Sequence, residues 1–114
     1  MAKFYDISAK ITNELPTLKI TDDITVTINS RKNTILNVMA MINEIERKKK
    51  NTPEDDQDPN ADFDMMQKAL EMLIGEKRAN EIYEMNLPIV EYKEVFQAVF
   101  MIAQGKDPGE TDTP

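Results

Sequence analysis

Histidine, cysteine and tryptophan are all missing from these 114 residues. Without histidine, imidazole acid–base catalysis, Ser-His-Asp triads and the commonest metal ligand are excluded. Without cysteine there is no thiol nucleophile, and no disulfide framework argues for export. Glycine is scarce: Gly75, Gly105 and Gly109 are too scattered to build a phosphate-cradling loop. Apolar runs are short, and none approaches the ~20 residues that span a bilayer. The opening Met1-Ala2-Lys3-Phe4-Tyr5-Asp6 lacks the continuous apolar stretch of a secretory signal. A cytoplasmic protein with no membrane and no cofactor is the expectation.

What is present suits one small domain. Hydrophobic residues make up 40% and charged residues 31%, too apolar for a fully disordered chain. The net charge of −7 is unevenly placed. Residues 51–64 hold six acids and no base, and residues 106–114 add a further net −2, which leaves the remainder at about +1. A near-neutral body argues against mimicry of DNA by a rigid acidic face. Direct nucleic-acid binding is not expected either. The one basic run, Arg47-Lys48-Lys49-Lys50, ends a helical pattern, where the helix dipole favours positive charge, and has no interleaved aromatics.

Hydropathy patterning gives the architecture. Leu18 and Ile20, then Ile24, Val26 and Ile28, alternate with polar residues around Asp22-Asp23, which predicts a β-hairpin with one apolar face. Ile7, Ala9 and Ile11 also alternate, so a third strand is an option until Asn13-Glu14-Leu15-Pro16 breaks the segment. Ser30 offers an N-cap for a helix to about Lys49, with Ile35, Val38, Met39, Ile42 and Ile45 on one stripe. Residues 53–61 read as a solvated acidic loop. Asp62 is the expected N-cap of a helix that buries Phe63, Met66, Leu70, Leu73 and Ile74 and stops at Gly75. A short helix from Glu76 to about Met85 would bury Ala79, Ile82 and Tyr83. After Leu87-Pro88, a last helix to about Gln104 would bury Tyr92, Val95, Phe96, Val99, Ile102 and Ala103. Residues 106–114 should be a disordered tail. The fold class is therefore α+β, mostly α: a hairpin (1–29) packed on a three- or four-helix bundle (30–50 and 62–105).

Two constellations bear on chemistry. Asp56, Asp58, Asn60, Asp62 and Asp64 alternate like the ligands of a calcium loop. However, Ala61 replaces the turn glycine and Gln67 the closing glutamate, so an acidic linker is the better reading. Met41, Met65, Met72 and Met101 lie off the main stripes of their helices. Unbranched thioethers suit surfaces that accept varied apolar segments, which makes these four candidate partner-binding residues. Packing of a helix on two sides would explain them equally, and self-association into a homo-oligomer would satisfy both readings.

Several stretches also share the wording of a known group. They are Phe4-Tyr5-Asp6-Ile7-Ser8, the hairpin Leu18-Lys19-Ile20-Thr21-Asp22-Asp23-Ile24-Thr25-Val26-Thr27-Ile28, the helix opening at residues 29–32, Lys68-Ala69-Leu70-Glu71-Met72-Leu73-Ile74-Gly75, and Leu87-Pro88-Ile89-Val90-Glu91-Tyr92-Lys93-Glu94-Val95-Phe96-Gln97-Ala98. In this order the chain resembles, over residues 4–105, the small tail assembly chaperones of long-tailed bacteriophages and prophages, particularly those of Gram-positive hosts. The resemblance implies a non-enzymatic protein of the host cytoplasm that holds the tape-measure protein while the tail tube polymerises. It also implies absence from the finished virion and, in many such proteins, a longer frameshifted form. It carries no individual functional residues. The competing expectations are a small acidic regulator that inhibits a DNA-binding partner and a structural subunit of a particle.

Overall fold

Alternating polar and apolar residues form the expected hairpin. In the computed structural model, which describes residues 3–56 and 60–108, β1 (Thr17–Thr21) runs antiparallel to β2 (Ile24–Thr27). Leu18 faces Val26 and Thr17 faces Thr27, but the register slips between Lys19 and Thr21, so β1 carries an irregularity at Ile20. A two-stranded sheet has too little area to stand alone in water. This one lays Val26 and Ile28, both fully buried, into the helical core, with Leu18, Ile20 and Ile24 packed at its margin. The alternating segment at residues 7–11 forms no third strand. Ser8–Lys10 is instead a single 3-10 turn, because the Asp6 carboxylate accepts the Ser8 N–H at 2.8 Å and curls the backbone.

The helices follow as α1 (Lys32–Lys50), α2 (Ala61–Ile74), α3 (Glu76–Glu84) and α4 (Ile89–Ala103). Helix α2 is central, in contact with α1, α3 and α4. It contributes Met66, Ala69, Leu70, Leu73 and Ile74 to the core, against Val38 of α1, Ala79 and Ile82 of α3, and Tyr92, Val99 and Ala103 of α4. The peptide leaving β2 is clasped to this helix: the Asn29 N–H donates to the Leu73 carbonyl at 2.7 Å. That carbonyl lies in the last turn of α2, where it has no partner within its own helix.

The helix ends differ from the expected caps. Ser30 does not cap α1; the Asn29 side chain accepts the Arg31 N–H at 3.3 Å, and the helix starts one residue later. Asp62 lies inside the first turn of α2, with Asn60 at the cap position. Gly75 ends α2 as expected, at φ 89° and ψ 154°, a region open essentially to glycine. The acidic loop begins with a 3-10 turn at Glu54–Asp56. The part of that loop at residues 57–59 and the tail beyond residue 108 lie outside the described residues. Among the described residues, no helix is long and apolar enough to cross a membrane.

Candidate functional site

A shallow groove runs where α2, α3 and the start of α4 meet. Its larger half, about 570 Å³, is lined by Asn60, Phe63, Asp64, Gln67 and Glu71 of the α2 side and by Asn80 and Tyr83 of α3. The adjoining half, about 320 Å³, is lined by Phe63, Tyr83, Asn86, Leu87, Ile89 and Tyr92. Phe63 and Tyr83 belong to both halves and make them continuous. The sharp turn between α3 and α4 builds one wall. Asn86 takes φ 52° there, and Pro88 stands at the cap position just before α4, at φ −51° and ψ 146°.

The floor is fixed by a polar relay across three helices. Tyr92 donates its hydroxyl to Gln67 Oε1 at 2.8 Å, and Gln67 Nε2 reaches Asn80 Oδ1 at 3.4 Å. The Phe63 and Tyr92 rings meet with centroids 5.9 Å apart. Burial raises the Tyr92 phenol above its usual value, and Tyr83 and the Glu71 carboxylate push in the same direction. The charged residues of the groove are Asp64 and Glu71, with no lysine or arginine in the lining. Its rim is apolar and open to water: Tyr83 is 65% exposed and Ile89 50%, with Val90 and Met85 exposed beside them. Such a surface can grip an apolar segment, and it favours one that carries positive charge.

The methionines singled out by their spacing lie elsewhere. Met41, Met65 and Met72 are half-buried and pack against the core, and Met101 is half-buried on α4. None of them lines the groove. Met39 and Tyr83, expected on inward stripes, are exposed, because each follows a fully buried residue by ~100° of helical rotation. Of the alternating acids, Asp58 lies outside the described residues. Among those described, no three acidic side chains converge as a metal ion would require.

A second exposed apolar surface is the segment 3–14, every residue of which is exposed. Phe4 is 88% exposed, Tyr5 79%, Ile7 60% and Ile11 65%. Strand-like alternation marked the last two, but nothing in the sequence shows that this segment lies off the body. Set against known protein families, curated proteins and solved structures, the chain has no significant match in any of them.

Proposed function

We propose that this protein is a non-catalytic holder of an apolar helical client, and specifically a phage tail assembly chaperone that binds the tape-measure protein in the host cytoplasm. The observation that carries the reading is the acid-lined groove with Tyr83 and Ile89 exposed on its rim. A monomer this small rarely leaves aromatic and branched side chains together on water without a use for them. An amphipathic helix would place apolar anchors at i, i+3 and i+7 against Phe63, Tyr83 and Ile89, with a lysine or arginine towards Asp64 and Glu71. The resemblance of residues 4–105 to tail assembly chaperones supplies the identity of the client. Holding would be stoichiometric, with affinity from buried apolar area at about 25 cal/mol per Å² before ordering costs.

The test is co-expression of the full chain with the tape-measure protein of its own phage. The expected outcome is a soluble complex that survives ~0.5 M salt, since apolar contact is screened little, and is lost in Ile89→Asp. Failure of the tape-measure protein to co-purify overturns the client. A complex that dissolves in salt yet tolerates Ile89→Asp favours an acidic regulator acting through its carboxylates.

A further inference from the structure

The segment before β1 leaves the folded body at Asn13, which takes φ 58° and accepts a hydrogen bond from Arg31 at the head of α1. Every residue from 3 to 14 is exposed, so no described part of the same molecule covers it. In extended form its side chains would sort by period two. Tyr5, Ile7, Ala9 and Ile11 take one face, and the three large ones are all at least 60% exposed. Asp6, Ser8 and Lys10 take the other face. Phe4 falls off the apolar face, at the end of the segment.

This pattern is its own complement. Asp6 and Lys10 stand symmetrically about Ser8, so the segment has no net charge but an ordered pair of opposite signs. An antiparallel copy centred on Ser8 sets Asp6 against the partner's Lys10, and Lys10 against the partner's Asp6. The same register sets Tyr5 against the partner's Ile11 and Ile7 against the partner's Ala9, an apolar face on an apolar face. A parallel copy in register would oppose like charges. A slip of one residue would set apolar side chains against polar ones, and a slip of two would part both ion pairs. Charge therefore selects one occupant and one register.

We propose that residues 5–11 of two copies pair as antiparallel strands about Ser8 and make a twofold-symmetric dimer. The surface is the same on both copies, so the contact closes on itself and stops at two. Pairing gives up the 3-10 turn and its three bonds: Ser8 N–H to the Asp6 carboxylate, Lys10 N–H to the Ile7 carbonyl and Ile11 N–H to the Ser8 carbonyl. All three lie in water, where each contributes little, and the ladder between copies replaces them with a longer set. A two-stranded ribbon is marginal by itself, so the dimer belongs to high micromolar concentrations. It uses no part of the groove, and so goes beyond the client reading without depending on it.

Charge exchange in the full chain tests it, by sedimentation equilibrium at low salt. The unaltered chain is expected to show a monomer–dimer equilibrium. Asp6→Lys and Lys10→Asp each oppose like charges twice in this register, and each alone should weaken the dimer about tenfold. Asp6→Lys also removes the carboxylate that holds the turn, so its weaker dimer cannot come from a stiffer monomer. Both changes in one chain restore opposite signs and should restore the dimer. The chain has no cysteine, so a single introduced thiol reports the register. Ser8→Cys lies on the twofold axis and should form a disulfide between copies under dissolved oxygen. Thr12→Cys should not, because the two thiols would lie about 26 Å apart along the strands. A monomeric unaltered chain, single variants that pair as well as it does, a combined variant that stays monomeric, or Thr12→Cys linking as readily as Ser8→Cys would overturn the proposal.

Discussion

Tyr92 of α4 and Gln67 of α2 meet through a 2.8 Å hydrogen bond beneath the groove, with the phenol as donor. Only the neutral phenol can donate, and burial favours that form. The folded protein therefore keeps this proton to higher pH than the unfolded chain does. The associated stability is complete below the ordinary value of 10.0 and falls as pH rises through the higher folded-state value. Tyr92→Phe should cost about 1 kcal/mol at neutral pH and should flatten the alkaline loss. Urea unfolding of both proteins across that range measures the difference.

Core and margin should separate in alanine substitutions on α2. Leu73 is fully buried, so Leu73→Ala should destabilise by about 2–5 kcal/mol. Met65 and Met72 are half-buried against the same core, and Met65→Ala and Met72→Ala should each cost about 1 kcal/mol, since less area leaves water there. Chemical denaturation gives the stabilities. The same variants, assayed for client capture, test whether the methionines add grip beyond the groove.

Gly75 joins α2 to α3 as a single residue at φ 89°. A Cβ built there meets nothing within 4 Å, so Gly75→Ala brings no clash and its whole cost is conformational, about 1–3 kcal/mol. Asn86, at φ 52°, lies in the left-handed well that asparagine tolerates, and Asn86→Gly should change stability by about 0.5 kcal/mol or less. Thermal melts of the two variants distinguish strain at one link from tolerance at the other.

Periodicity within one segment encodes which of its faces is buried. Period-two alternation placed the hairpin within a residue, and helical spacing placed α1 to α4 within one or two, because burying one face is what those patterns encode. The helices and their two-stranded hairpin make the mostly α, α+β fold that the sequence predicted. The groove was not legible in the same way. Tyr83 follows Ile82, and on a nine-residue helix two buried positions define too narrow a stripe to exclude the next one. The polar relay needs Gln67, Asn80 and Tyr92 to converge from three helices, and no spacing within one segment reports convergence. Caps were misplaced by one or two residues because Asn29, Ser30, Asn60 and Asp62 can all accept backbone protons. The choice depends on where the preceding loop brings the chain.

The bond from the Asn29 amide to the Leu73 carbonyl joins backbone atoms, so no side-chain substitution deletes it directly. It is also the stitch that holds the strand pair to the central helix, across 44 positions of chain. Deuterium can replace that amide proton only when the pair lifts away or the whole molecule opens. Uptake at this one site would therefore reveal whether the hairpin is a separable flap, exchanging well before the middle of α2, or whether sheet and helices come apart as a unit.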